Sequence, residues 1–235
     1  MELRVTADIT PRVIEQHNSL FVVDKPPGMP VHPTGHGADV SLTAWIKRSF
    51  QVDVSPIHRI DRATSGLVLL SSNSNERAFW GRLFSTGAIH KEYLAVVYGR
   101  PPGGGTITIP LYDRRRKKNL EAITHYETEA CFYDTSIIRC SPSTGRRHQI
   151  RKHLSLVGHP ILGDSRYARR NIANTPNAVR HISHVADMGH PNGKKRMWLH
   201  AHTLATEDAV FTTGNPHEFK MLRQVLSERD HKLAT

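Results

Sequence analysis

The chain contains little cysteine and no long apolar run. Two of its 235 residues are cysteines, Cys131 and Cys140, too few for the disulfide framework of a small secreted protein. No apolar run approaches the roughly 20 residues that a transmembrane helix needs, and the N-terminal residues lack the basic and then apolar pattern of a signal peptide. These absences predict a cytosolic protein with free thiols and no membrane partner.

Acidic residues are scarce relative to basic ones. The chain has 32 Lys and Arg against 21 Asp and Glu, a formal net charge of +11, and such an excess favours a polyanionic partner. The basic residues form four clusters, Arg114–Lys118, Arg146–Lys152, Arg166–Arg170 and Lys194–Arg196. If folding gathers two of them, they form a track for phosphate groups. Taken alone, the first cluster is explained equally well as a solvated loop.

One acidic residue lies among basic and titratable neighbours. Asp61 follows His58 and Arg59 and precedes Arg62, and the apolar run Leu67–Leu70 comes shortly after. That run predicts a buried strand, so Asp61 is expected on a loop anchored by a rigid element, where catalytic residues are usually held. The alternative is a surface ion pair with Arg59 or Arg62.

The remaining pattern predicts an α+β fold with a large, mainly antiparallel sheet. Helices are predicted after Ser41, after Ser74, from His148 to Gly158 and around Phe219–Leu226. Further strands are predicted at Leu20–Val23, Ile89–Tyr98, Thr106–Leu111, Ala122–Phe132, Thr135–Cys140 and Met197–Thr203. Residues 171–195 lack periodicity and are interpreted as an irregular insertion.

The helix after His148 is predicted to bury one face. Ile150, His153, Leu154 and Val157 follow the apolar spacing of a helix. If they are buried, Arg147 and Arg151, four residues apart, are expected to lie together on another face.

Four segments in this order resemble the RluA-type family of RNA pseudouridine synthases. They are Asp24–His32, His58–Leu70, His90–Gly99 and Thr144–Asp164. The resemblance runs from about Leu20 to His202. It implies the pseudouridine synthase fold and isomerisation of specific uridines in tRNA or large-subunit rRNA. A weaker similarity, in Ala122–Tyr126 and Arg151–Leu154, points to the TruC-like branch that acts on tRNA.

The resemblance also implies catalytic roles. Asp61 matches the essential carboxylate, and attack on the ribose anomeric carbon, addition to uracil C6 and removal of the 2′ proton all remain open. Arg151 matches the arginine that keeps this carboxylate ionised. Tyr93 matches the tyrosine that packs on the target uracil and assists loss of the C5 proton.

A second group of residues is implied in RNA contact. The target base must leave its stack before it reacts, and Arg59 matches the arginine that fills the gap, with a plain phosphate contact as the alternative. The same group of RNA-binding candidates includes His58, Arg62, Arg146, Arg147 and His148. A structural hydrogen bond is the favoured role for His58, and contacts with the core or with other site residues are favoured for His148 and His153.

The reaction needs no cofactor, and no metal site is expected. The pairs His181 with His184 and His200 with His202 lack accompanying Cys or Glu at a zinc spacing. The expected organisation is one catalytic domain, 1–235, without a separate N-terminal RNA-binding domain, acting as a monomer. The alternatives are an inactive RNA-binding protein of the same fold and a glycosidase, for which Asp164 would be a distant second carboxylate.

Overall fold

The computed structural model describes residues 10–33, 40–168, 196–214 and 216–234. The predicted insertion at 171–195, with His181 and His184, lies outside these residues. The chain divides into two compact units. Unit 1 comprises the described residues of Glu92–Leu199 and Asn215–Thr235, and unit 2 comprises those of Asp8–Lys91 and His200–Gly214.

The described residues form twelve strands and four helices. The strands are β1 (Arg12–His17), β2 (Leu20–Lys25), β3 (Ser55–Pro56), β4 (Ser65–Ser71), β5 (His90–Tyr98), β6 (Gly104–Ile107), β7 (Leu111–Asp113), β8 (Lys118–Leu120), β9 (Thr124–Cys131), β10 (Thr135–Pro142), β11 (Leu199–Ala205) and β12 (Val210–Thr212). The helices are α1 (Leu42–Phe50), α2 (Ser74–Thr86), α3 (Gln149–Leu156) and α4 (His217–Ala234). None of these helices is long and apolar enough to cross a bilayer.

Unit 2 is built on strands in the order β1-β2-β4-β11. The β1/β2 and β2/β4 pairs are antiparallel, whereas β4 and β11 are parallel. All seven residues of β4 are buried, because alternate side chains enter two cores. Leu67 and Leu69 pack with residues of α2, and Val68 and Leu70 pack with residues of α1. A strand buried on both faces is a rigid support for the loop that precedes it.

Unit 1 contains the antiparallel strand order β5-β10-β9-β6 and the separate two-stranded hairpin β7-β8. Its core includes Val96 of β5 and the fully buried Trp198. Phe219, Leu222 and Leu226 of α4 pack into the same core. The expectation of an α+β fold with a mainly antiparallel sheet is therefore confirmed.

Several predicted boundaries are corrected. The α2 cap is Asn73, whose side chain accepts N–H groups of Asn75 and Glu76 at 2.8 and 3.3 Å, and Ser74 is the first helical residue. The single strand predicted at Thr106–Leu111 is divided between β6 and β7. By contrast, Ser41 does cap α1, and its hydroxyl accepts the Ala44 N–H at 3.3 Å.

Candidate active site

Asp61 lies in the loop between β3 and β4 of unit 2 and is partly buried. The next residue fastens this loop to the turn after β2. The Arg62 carbonyl accepts the Gly28 N–H at 2.8 Å and the Lys25 ammonium at 3.3 Å. The Arg62 side chain returns a bond from Nε to the Gly28 carbonyl at 2.7 Å. Lys25 is fully buried, so the backbone beside Asp61 is held by the end of β2 and by the turn that follows it.

A glycine fixes the exit of the same loop. Gly66 has φ of 106°, and a Cβ built on it would lie 2.1 Å from the Ala201 carbonyl oxygen in the parallel partner β11. The neighbouring Ser65 hydroxyl bonds His200 Nδ1 at 2.9 Å. Only glycine fits this close approach of two backbones, so the chain path from Asp61 into β4 depends on it.

His58 makes a structural hydrogen bond. Its Nε2 accepts the Leu69 N–H of β4 at 3.1 Å, and its ring stacks on Phe84 of α2 with centroids 4.3 Å apart. Burial, and then the charge of Lys91, lower the pKa of His58 to about 3. The ring is therefore neutral near pH 7 and gives no cationic phosphate contact there, as its acceptor role requires. Arg59, next to it, is exposed.

Tyr93 belongs to unit 1, on β5, where it is partly buried and pairs with Cys140 of β10. The Arg139 guanidinium of β10 binds the carboxylates of Glu92 on β5 and Glu129 on β9. This side-chain bridge fixes the three neighbouring strands around Tyr93.

The loop before α3 is organised by one amide side chain. The Gln149 carbonyl oxygen accepts the Thr144 hydroxyl at 2.7 Å and the Arg146 N–H at 2.9 Å. Its NH₂ group donates to the Ile123 carbonyl at 2.9 Å and to the Thr124 hydroxyl at 3.0 Å. Gln149 thus connects the Thr144–Arg146 turn to the start of β9, which accounts for the polar residues in this segment.

Arg151 of α3 is buried, with 8% of its surface exposed. Its Nε and Nη2 donate to the two oxygens of Asp164 at 2.7 and 2.9 Å. Burial alone would raise the pKa of the Asp164 carboxyl, but the hydrogen bonds and charge of Arg151 and the N–H groups of Arg166 and Tyr167 lower it. Asp164 stays ionised, so it is a poor proton donor for a glycosidase.

The expectation that Arg147 and Arg151 lie together on one face of α3 is wrong. Helix α3 begins at Gln149, after His148 in a left-handed conformation with φ of 55°. Arg147 therefore precedes the helix and is exposed, while Arg151 turns inward. Val157, predicted to be buried, is 39% exposed.

The remaining RNA-contact candidates of this segment have protein partners. Arg146 Nε donates to the Glu121 carbonyl at 2.8 Å. His148 Nδ1 bonds the Tyr167 hydroxyl at 2.8 Å. His153 is buried and bonds the Thr124 hydroxyl and the Ile109 carbonyl. His148 and His153 thus make side-chain contacts within unit 1.

Two residues near Arg151 are not identified by the sequence pattern. The sequence suggests Asp164 only as the second carboxylate of a glycosidase, and Tyr167 belongs to no recognised motif. The Tyr167 ring lies 5.1 Å from the Arg151 guanidinium and 5.6 Å from that of Arg166. The sequence signal for this turn is the Gly163-Asp164 dipeptide. The glycine is required there, because Gly163 has φ of 77° and a Cβ on it would lie 1.7 Å from the Arg196 carbonyl oxygen.

The described residues contain no group of three or more His, Cys, Asp or Glu placed to hold a metal ion. The candidate pair His200 and His202 instead shares the Thr213 hydroxyl, at 2.9 and 3.1 Å.

The model of the RNA pseudouridylate synthase family matches residues 19–156, more than half of the chain. The chain belongs to this family. The matched range includes Asp61, Tyr93 and Arg151, and also Arg59 and Arg62.

Sequence relatives in the family carry two kinds of name. The chain is 34% identical over 174 residues to the mitochondrial tRNA pseudouridine(32) synthase of Saccharomyces cerevisiae, covering 68% of this chain and 38% of that protein. It is 31% identical over 243 residues to ribosomal large subunit pseudouridine synthase D of Zymomonas mobilis, covering 93% of this chain and 74% of that protein. The chain thus spans well under half of the yeast relative.

A solved structure supports the fold. Human RNA pseudouridylate synthase domain containing 4 superimposes with a TM-score of 0.75 at 24% identity, covering 92% of each chain. The pseudouridine synthase fold expected from the sequence is confirmed.

Proposed function

We propose that this protein is an RNA pseudouridine synthase, which isomerises specific uridines within an RNA chain. The observation that carries the proposal is the family match over residues 19–156, because it includes an aspartate on a loop fixed at Arg62 and Gly66. The reaction breaks the bond from uracil N1 to ribose C1′, forms a bond from C5 to C1′, and moves the C5 proton to solvent while N1 gains one.

In this proposal Asp61 is the reacting carboxylate. Each of the three open first steps uses this one carboxylate. Tyr93 packs on the uracil and assists loss of the C5 proton. Arg151 keeps the supporting role that the family resemblance assigns to it, and within unit 1 its two hydrogen bonds to Asp164 fix the geometry of its guanidinium.

RNA contact is assigned to a second set of residues. Arg59 and Arg147 are exposed cations, and Arg59 is proposed to fill the space that the extruded base leaves. Arg62 and Arg146, whose Nε groups bind carbonyls of the protein, contribute positive charge. His58 holds the backbone of β4 at Leu69, and His148 bonds the Tyr167 hydroxyl, so both support these residues from within the protein.

The RNA target is tRNA or large-subunit rRNA. Relatives named for both substrates support this range, and the similarity to the TruC-like branch favours tRNA. A single catalytic domain, a monomeric state and a cytosolic location complete the proposal.

The test is tritium release from RNA labelled at uracil C5, run beside filter binding of the same RNA. We expect release by the wild type and none by Asp61→Asn, because a mechanism with one carboxylate has no substitute for it. Binding by Asp61→Asn should be unchanged. Asp53→Asn is the matched control, since Asp53 is an exposed acid of the same unit that pairs with Lys47, and it should release tritium normally.

The alternatives predict different results. A wild type that binds RNA but releases no tritium from any RNA fraction would indicate an inactive RNA-binding protein. Normal release by a folded Asp61→Asn variant would remove Asp61 from the chemistry.

A further inference from the structure

The hairpin β7-β8 is anchored to α3 at both ends. His153 of α3 bonds the Ile109 carbonyl just before β7, at 2.9 Å. Arg146, just before α3, bonds the Glu121 carbonyl just after β8, at 2.8 Å. Both contacts lie within unit 1, so the hairpin has a fixed position beside the basic segment Arg146–Lys152.

The turn of this hairpin carries a run of five cations. The run Arg114–Lys118 is exposed throughout. Asp113 accepts the N–H groups of Arg115 and Arg116 at 2.8 and 2.9 Å, which orders the turn backbone and leaves the basic side chains in solvent. Tyr112, in β7, is 55% exposed and offers an aromatic surface on the same hairpin.

Arg166, the described arginine of a third basic cluster, lies in the same region. The Arg166 guanidinium lies 5.6 Å from the centre of the Tyr167 ring. The Tyr167 hydroxyl bonds His148 at the start of α3. Arg166 is thereby held close to the segment that contains Arg147.

The electrostatics of Lys152 agree with this geometry. Partial burial lowers the pKa of its ammonium group, and nearby positive charges lower it further, against the opposing charge of Asp113. The charges concerned are those of Arg147, Arg166 and Arg114. Cations from three separate parts of the sequence are therefore close enough to repel one another, and such a concentration of like charge is relieved when an anion binds.

We propose that the β7-β8 hairpin, together with Arg147, Lys152 and Arg166, forms a second RNA-contact surface that binds backbone phosphates of the substrate. We call it the hairpin surface. It rests on the proposed function in that RNA is the substrate, and it lies apart in sequence from the Asp61 loop. Its task is to hold the RNA, since none of its residues is assigned to the chemistry.

The shape and composition of the surface favour RNA over an anionic membrane. Phosphates along a nucleic acid strand match cations spread over a turn, a helix start and a loop. Membrane-surface binding usually uses an amphipathic helix with an apolar face, and here all the cations of the surface except Lys152 of α3 lie on the hairpin or in loops. The exposed Tyr112 offers a ring on which an unpaired base can stack.

The test compares a triple variant with a double variant in RNA binding. The hairpin variant combines Arg114→Gln, Arg115→Gln and Arg116→Gln. It keeps the hydrogen bonds to the Asp113 carboxylate, because their donors are backbone N–H groups. Lys220→Gln and Arg223→Gln on α4 form the control, since both residues are exposed cations of unit 1 and neither joins the hairpin to α3. The probes are a fluorescein-labelled RNA stem-loop and unfractionated tRNA.

We expect the hairpin variant to bind both probes at least about tenfold more weakly than wild type. Its plot of log affinity against log salt should flatten by about 0.7 to 0.9 for each phosphate that the variant no longer binds. The control should remain within about twofold of wild type, with an unchanged slope. Tritium release at saturating RNA should be nearly normal for the hairpin variant, because the change affects binding.

Other outcomes overturn the proposal in distinguishable ways. If wild type and the hairpin variant bind RNA with equal affinity and slope, the hairpin surface fails and the proposed function stands. If wild type binds neither probe but sediments with phosphatidylserine vesicles, both proposals fail. If the α4 control weakens RNA binding equally, the loss comes from the lower net charge alone, and the hairpin is not a specific RNA-contact surface.

Discussion

Arg151 and Asp164 form a buried pair joined by two hydrogen bonds, of 2.7 and 2.9 Å, within unit 1. Asp164 also accepts the N–H groups of Arg166 and Tyr167 at 2.9 and 3.2 Å. The acid therefore fixes both the orientation of the arginine and the turn that follows Gly163. It acts as a positioning residue for a side chain that the family resemblance assigns to the reaction.

Asp164→Asn should lower both stability and turnover. The change breaks a buried ion pair, which costs about 3 kcal/mol or more, and the asparagine side chain accepts from the guanidinium with one oxygen where the carboxylate accepted with two. We expect kcat for tritium release to fall at least about tenfold while KM changes little. Urea unfolding and single-turnover kinetics measure the two effects.

The matched control for this prediction is Asp134→Asn. Asp134 is buried and pairs with Arg229 of α4 at 2.6 Å, so its replacement should destabilise unit 1 similarly without moving Arg151. An equal loss of kcat in both variants would show that stability alone explains the result.

Gly66→Ala should prevent the native path of the Asp61 loop. The new methyl group would meet the Ala201 backbone at 2.1 Å, and the positive φ adds strain. We expect a loss of stability above about 3 kcal/mol or an unfolded unit 2, measured by thermal unfolding. Gly81→Ala in α2 is the control, because open space surrounds Gly81 and alanine should stabilise the helix by about 0.5 to 1 kcal/mol. A mild effect at Gly66 would contradict the close approach of β4 and β11.

His58 should make unit 2 less stable in weak acid. Its pKa is lowered from 6.5 to about 3 in the folded chain, so between these values the unfolded chain binds a proton that the folded chain does not. Stability is complete above pH 6.5 and falls as the pH drops below it, by roughly 2 kcal/mol at about pH 5. His58→Gln keeps an acceptor for the Leu69 N–H without titrating. Urea unfolding at several pH values should show a flatter dependence for this variant, and an unchanged slope would exclude His58 as its source.

Arg59→Ala should discriminate between RNA substrates. If Arg59 fills the gap left by the base, its removal should slow modification of a structured RNA by about tenfold, equivalent to about 1.4 kcal/mol. An RNA whose target uridine is already unpaired should react almost normally. Arg151→Ala, checked for folding by circular dichroism, should impair both substrates alike. Tritium release from the two RNAs measures the rate of modification. Equal losses of rate for the two variants on both RNAs would show that Arg59 and Arg151 do not differ in role.

Local sequence signals predict much of unit 2. The run Leu67–Leu70 identifies β4 because four consecutive apolar residues suit a strand buried on both faces. Ser41 identifies the start of α1 because a short hydroxyl side chain can accept a free N–H at a helix end. Such signals do not decide between Asn73 and Ser74 as the cap of α2, since both are good caps and only the chain path distinguishes them.

Long-range contacts could not be predicted from such signals. The inward orientation of the Arg151 side chain depends on Asp164, thirteen residues later. Helical spacing alone favours an exposed position for Arg151 beside Arg147. The left-handed His148 also shortens the helix by one residue at its start. Likewise, the basic clusters are visible in the sequence, but their gathering depends on the contacts of His153 and Arg146 with the ends of a hairpin.

The end of the strand order in unit 1 has a consequence for self-association. Strand β6 is the terminal strand of the order β5-β10-β9-β6 among the described strands, and such an edge can recruit a strand from another molecule. Here the edge has four residues, starts with two glycines and follows Pro101-Pro102-Gly103. Proline offers no N–H and glycine resists extension into a longer ladder. This edge is a poor template for intermolecular pairing, and we expect no strand of another molecule to extend the sheet at β6.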